Sequence, residues 1–179
     1  MRDDHPIEIT YEGFWGRGRH TFPVEPYFVK VFKQRWYLIA HSIHDDQIRV
    51  YALDRIQDME VLSDRFFKMP ADFHADEFFQ DCYGIIHGDD YNVETVRIKI
   101  TGNQAKFVRS VPLHSSQTEE EGGTDSCSVF RYRLKPTFDF MQEIFSHADD
   151  FEVLEPKWLC DEISRRVYNM YKYYGKEVK

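Results

Sequence analysis

Between residues 7 and 62 the chain is cut into short alternating runs by polar or glycine-bearing turns, and that spacing dictates strands. Residues 7–11 alternate, and residues 12–18 read as a glycine-rich turn. His20-Thr21-Phe22 resumes the pattern before Pro23 and Pro26, which such a pattern places at strand ends or edges because proline donates no ladder hydrogen bond. Residues 27–32 follow, then a turn at Lys33-Gln34, a run over 35–41, the polar turn His44-Asp45-Asp46-Gln47, and runs over 48–53 and 55–62. Short strands this closely spaced predict a small antiparallel barrel or sandwich over residues 6–63.

The rhythm then changes. Residues 64–91 carry Phe66, Phe67, Met69 and Phe73 around Pro70, with a short helix expected over 76–83 before Gly84. So many aromatics are costly to leave in water, so this segment is expected to dock against a domain. Residues 92–179 read as β-α-β-β-α-β-α: strands over 93–100, 129–134 and 151–154, helices over 104–110, 137–145 and 157–173, and an acidic loop over 117–125. Thr137 is a candidate cap for its helix, and Pro156 suits the first turn of the last one. The order predicts a compact split-βαβ-like α+β domain after the barrel, so the chain divides into 1–63, 64–91 and 92–179.

Bulk properties bound the function. The 179 residues carry 23 Lys and Arg against 31 Asp and Glu, a formal charge of −8, so the broad positive field of a generic nucleic-acid binder is missing. Cys82, Cys127 and Cys160 lie too far apart for a disulfide scaffold or a cysteine zinc site. No apolar stretch approaches the ~20 residues that span a bilayer. The opening residues lead into no signal-peptide core, so a cytoplasmic location is the expectation.

Trp36-Tyr37-Leu38-Ile39-Ala40, then Ile48-Arg49-Val50-Tyr51-Ala52-Leu53-Asp54-Arg55-Ile56, resemble the WYL domain, and Val24-Glu25-Pro26-Tyr27 resembles its entry. Leu113-His114-Ser115-Ser116-Gln117 and Phe151-Glu152-Val153-Leu154-Glu155-Pro156-Lys157-Trp158-Leu159 are similar to the extension that commonly follows it. The resemblance spans about residues 20–170. It implies an Sm-like or SH3-like β-barrel serving as a ligand-sensing module of bacterial transcriptional regulators, which are often dimeric. The ligands it implies are nucleic acids or other negatively charged molecules. The family's ligand residues fall here on Tyr37, Arg49 and Arg55. Because the resemblance starts near residue 1, the helix-turn-helix DNA-binding domain of such regulators is expected to be absent from this chain, which is either a fragment or a stand-alone module. Where the extension often has an arginine after Leu159, this chain has Cys160.

Alternation assigns the same residues a role. Trp36 and Leu38 point one way, into the expected core, and Tyr37 and Ile39 the other; Arg49 and Tyr51 share a face of the next strand. Set beside Tyr37, they would place aromatic surface next to a guanidinium, suited to an anionic small molecule or a single-stranded nucleic acid. The alternative is that Arg49 and Arg55 pair with Asp54, Asp58 or Glu60 and merely tie down the barrel.

Other constellations carry less. His41, His44, Asp45 and Asp46 occupy a turn and read as a solvated loop, since a metal site needs another converging ligand. His114, Ser115, Ser116, Asp125 and Cys127 form no triad or nucleophile elbow, so no catalytic residue is assigned and the chain reads as a non-enzyme without cofactor or metal. Gly13, Gly16 and Gly18 lack the order of a phosphate loop and read as a hairpin turn. On the last helix, Val167, Met170 and Tyr174 form a packing stripe, while Tyr168, Tyr171 and Tyr173 are spare aromatics suited to a homodimer contact.

Overall fold

The alternating runs of the first third form five strands: β1 (Ile7–Glu12), β2 (Arg19–Phe32), β3 (Arg35–Ser42), β4 (Gln47–Ala52) and β5 (Ile56–Val61). The computed structural model describes residues 4–14, 18–88 and 90–175, so Gly16 and Arg17 of the expected turn lie outside the described residues. Contacts divide the chain into two units, Met1–Ala75 and Asp76–Lys179.

In the first unit the strands pair antiparallel in the order β4-β3-β2-β1-β5. The two outermost strands, β4 and β5, are joined only by a 3₁₀ turn at Leu53–Arg55. Four strand spacings would separate them by roughly 19 Å in a flat sheet. Three linking residues reach at most about 14 Å even when extended. The sheet must therefore curl. It does not close into the expected barrel: among the described residues no ladder joins β4 to β5.

Curling shows in the irregularities of the ladder. β2 runs unbroken through Pro23 and Pro26, where the sequence pattern predicts two separate strands. A register shift between Pro26 and Phe28 absorbs the interruption, as a bulge does, and bends the strand. A second shift lies between Thr10 and Tyr11 on β1.

Ile7, Ile9, Val24, Leu38, Ala40 and Tyr51 form the core on the concave face. Leu38 is buried as its alternation predicts, but Trp36 is 55% exposed. It shares the face of Leu38, yet its cross-strand partner Val31 is also exposed, so this end of the face is uncovered. Ile39 points the other way and is fully buried. On that outer face its partner Phe28 meets Phe73, with ring centroids 6.1 Å apart, and Tyr27 meets Phe73 at 4.9 Å and Phe67 at 6.2 Å. Phe73 thus covers Tyr27 and Phe28 on the convex side.

The second unit contains α1 (Ala75–Phe78, starting at the last residue of the first), β6 (Glu94–Thr101), α2 (Gln104–Ser110), β7 (Thr118–Glu119), β8 (Cys127–Leu134), α3 (Phe138–Ser146), β9 (Phe151–Glu155) and α4 (Lys157–Tyr174). Its sheet is antiparallel with order β7-β8-β6-β9. Every second residue of β6 and β8 (Val96, Ile98, Ile100, Phe130, Tyr132, Leu134) is buried against Phe140, Met141 and Ile144 of α3, Val108 of α2 and Leu159 of α4. The chain is thus two mainly antiparallel sheets with a few helices, an α+β class.

Three local expectations change. The helix predicted over 76–83 is a single turn, because the backbone at residues 81–82 pairs with the end of β8: Lys135 N donates to the Asp81 carbonyl at 2.8 Å, and Cys82 bridges Lys135. Thr137 stands at the cap position of α3 but makes no capping bond; its buried Oγ1 has no hydrogen-bond partner. Within the acidic loop, Thr118–Glu119 pairs with β8 as a short strand, and arginines hold the loop. Arg97 binds Glu120 through Nε (2.7 Å) and Nη2 (2.8 Å), and Arg109 binds Glu119, whose carboxyl Arg109 and Ser128 hold down to about 2.

Candidate functional site

The β3–β4 hairpin decides which side chains meet. Its register sets Tyr51 opposite Leu38, Arg49 opposite Ala40 and Gln47 opposite Ser42. Alternation therefore puts Arg49, Tyr51 and Ser42 on the concave face with the core. The Tyr51 ring packs edge-on against Tyr11 at 5.3 Å and tilts against Phe22 at 5.7 Å. Beside these rings opens a hollow of about 510 Å³, lined by Tyr11, His20, Thr21, Phe22, Ser42, His44, Asp45, Arg49, Val50 and Tyr51.

Arg49 is half exposed at this hollow and tethered to Asp45, which accepts from its Nε at 2.8 Å and also from Nη2. The Ser42 hydroxyl and then the Arg49 guanidinium hold the Asp45 carboxyl below the usual carboxylate range. Burial pushes the Tyr51 phenol up, partly offset by its hydrogen bond to Ser42. Asp45 and Arg49 thus form an ion pair beside Ser42 and along an aromatic wall that includes Tyr51. A guanidinium carries five N–H donors. The tether leaves the Nη1 edge of Arg49 able to meet an anion while the rings take a planar body.

The other two predicted residues do not join them. Tyr37 faces Lys30 and Ala52 in the register, on the convex side, one residue out of phase with Leu38 and so opposite to Arg49 and Tyr51. Arg55 sits in the 3₁₀ turn, outside the lining of the hollow, with its guanidinium 3.6 Å from the Phe14 ring centroid. Its Nε is buried without a hydrogen-bond partner. Among the described residues Arg49 and Arg55 are not paired with Asp54, Asp58 or Glu60: Asp54 is bound by Arg35 at 3.3 Å, and Arg49 by Asp45. Tyr11, Phe22 and Ser42 went unread because each comes from a strand whose face only the register reveals. The available signal was Asp45, four residues before Arg49 across a hairpin turn.

The turn histidines part company as well. His44 lines the hollow, whereas His41 is half-buried on the convex face, with Nδ1 2.9 Å from Glu25 and Nε2 2.9 Å from Asp46. Burial opposes its charged form, but the bonds to Asp46 and Glu25 outweigh burial, and its pKa is raised above 6.5. A raised folded-state value stabilises fully below the unfolded value and is lost as pH rises through the folded one. His114, buried and lowered, has the opposite slope. Urea unfolding of His41→Gln against the parent is therefore expected to show a stability gap that shrinks as pH rises above about 6.5. A gap constant between pH 6 and 8.5 would exclude the charged clamp. Among the described residues no group of three His, Cys, Asp or Glu side chains is placed to hold a metal ion.

A curled five-stranded antiparallel sheet followed by a four-stranded sheet with helices defines a tandem of two small β-rich modules. Residues 1–61 match the family model of the WYL domain and residues 92–171 that of the WCX domain. The chain therefore carries a WYL domain followed by a WCX domain. It is similar to proteasome accessory factor B/C (PafBC) of Arthrobacter aurescens, at 18% identity and a TM-score of 0.41, covering 98% of this chain and 26% of that one. It is also similar to a CRISPR Cas-related protein, at 14% identity and a TM-score of 0.60, covering 98% of this chain and 49% of that one. The second likeness concerns the fold alone, and this chain spans about half the length of that protein. No curated protein matches the sequence. Among the described residues no helix is long and apolar enough to cross a membrane.

Proposed function

We propose that this chain is the ligand-sensing module of a transcriptional regulator, and that a small anionic ligand or a single-stranded nucleic acid binds in the hollow beside Arg49 and Tyr51. The supporting observation is the Arg49 guanidinium held by Asp45 at the edge of the Tyr11, Phe22 and Tyr51 rings. A ring that stacks on a base is worth about 1–3 kcal/mol. The net charge of −8 favours a short ligand over long duplex DNA, whose phosphates the whole surface would repel. On this reading the curled sheet acts as an Sm-like barrel, and the module works in the cytoplasm beside a DNA-binding domain.

Fluorescence titration with nucleotides and short single-stranded DNA and RNA tests this. Binding should weaken with salt, and Arg49→Gln should weaken it about 10- to 100-fold, the range of a charged hydrogen bond. Asp45→Asn should tighten it by releasing the guanidinium. Equal affinity in the parent and Arg49→Gln, with folding intact, would remove the proposal.

Self-association is a second reading. Tyr168, Tyr171, Tyr173 and Tyr174 on α4 are exposed, and aromatics of this kind are enriched at interfaces. Light scattering across concentration reads it directly.

A further inference from the structure

The concave face of the first unit has a second opening that shares no lining residue with the Arg49 hollow. Along β3 the core-facing row passes from Ala40, fully buried, through Leu38 to the exposed Trp36. On β2 it passes from Val24, fully buried, to the exposed Val29 and Val31. On β5, Met59 and Val61 pair with Ile9 and Ile7, so they face the core, yet both are exposed. The sheet curls around its core at one end and leaves the same apolar face open at the other.

That opening is a cavity of about 390 Å³ whose apolar walls include Val29, Leu38, Ile56, Met59, Val61 and Phe67. Its volume and lining are those of a small-molecule site. Its polar lining is restricted to Asp4 and His5. His5 Nδ1 lies 2.7 Å from the Arg65 carbonyl, which can only accept, so Nδ1 donates there and is not available to a ligand. Asp4 offers only acceptor oxygens, and its carboxylate does not suit an anion.

We infer that this cavity binds a small uncharged molecule with an apolar body and a single hydroxyl donor, the opposite chemistry to the ligand of the Arg49 hollow. The Asp4 carboxylate at the rim hydrogen-bonds a hydroxyl and repels a second carboxylate, so the site discriminates between an alcohol and the acid of equal chain length.

The test is a titration of the full chain, methyl-labelled at Val, Leu and Met, with 1-octanol and with octanoate at pH 8, followed by NMR. Octanol should give saturable shifts concentrated at Val29, Leu38, Met59 and Val61. It should bind at least about tenfold more tightly than octanoate, the worth of one well-made hydrogen bond set against an unpaired charge. Met59→Glu puts a charge into the wall and Val61→Phe fills the cavity. Both positions are exposed, so the fold should survive, and each variant should weaken octanol by about tenfold or more. Shifts that do not saturate, that persist undiminished in both variants, or that are as strong with octanoate would each overturn the assignment.

Discussion

Replacing Tyr51 by alanine is expected to lower the stability of the first unit by about 3–5 kcal/mol, the cost of deleting a buried aromatic ring. The ring is 8% exposed, sits in the core with Ile9, Val24, Leu38 and Ala40, and braces Tyr11 and Phe22. A domain of this size seldom holds more than about 3–5 kcal/mol in its core, so the variant should lose its cooperative transition in urea or nearly so. Tyr51→Phe keeps the ring and loses only the hydroxyl, at a cost of about 1 kcal/mol or less. The contrast matters for the site: the alanine variant says nothing about ligand contact, and the phenylalanine variant does. Denaturation midpoints equal for the two would show that the ring is not a core element.

Asp139→Ala should cost the second unit about 2–4 kcal/mol, since it orphans two backbone donors. Asp139 is buried in the first turn of α3, and its Oδ2 accepts from the Ile85 and Ile86 amides, each at 2.9 Å. This carboxyl holds the segment after Gly84 to the helix. Gly84 has to be glycine for the same reason, because a Cβ there would lie 2.4 Å from Asp139 Oδ2. Asp139→Asn retains an acceptor of the same shape and should cost less than half as much. Amide hydrogen exchange supplies the local readout: Ile85 and Ile86 should lose protection in the alanine variant before the β6 and β8 amides do. Unchanged protection at those two amides would mean that the carboxyl does not restrain the segment.

The two halves of the chain were unequally legible. In the second unit every strand and helix that carries the core followed from local pattern: β6 and β8 alternate, and α3 and α4 lie where the helical period places them. The shortened α1 departed from its pattern because the Asp81 carbonyl accepts from Lys135, at the distant end of β8, instead of continuing the helix. In the first unit the strands were visible, but Trp36 and Ile39 exchanged fates. Alternation assigns faces without saying how far along a strand each face is covered. Phe73 and Tyr27 cover one side well beyond the point where the other is left open.

For the site the division is sharper. The sequence by itself determined that Arg49 and Tyr51 share a face and that Tyr37 and Ile39 share one, because the side-chain period of a strand is two. Only the tertiary structure decided that these are opposite faces of one sheet, so that Tyr37 is turned away from Arg49 while Tyr11, Phe22 and Ser42 stand beside it. Cross-strand register and curl arise from contacts between residues distant in sequence, and a shift of one residue would have reversed every pairing.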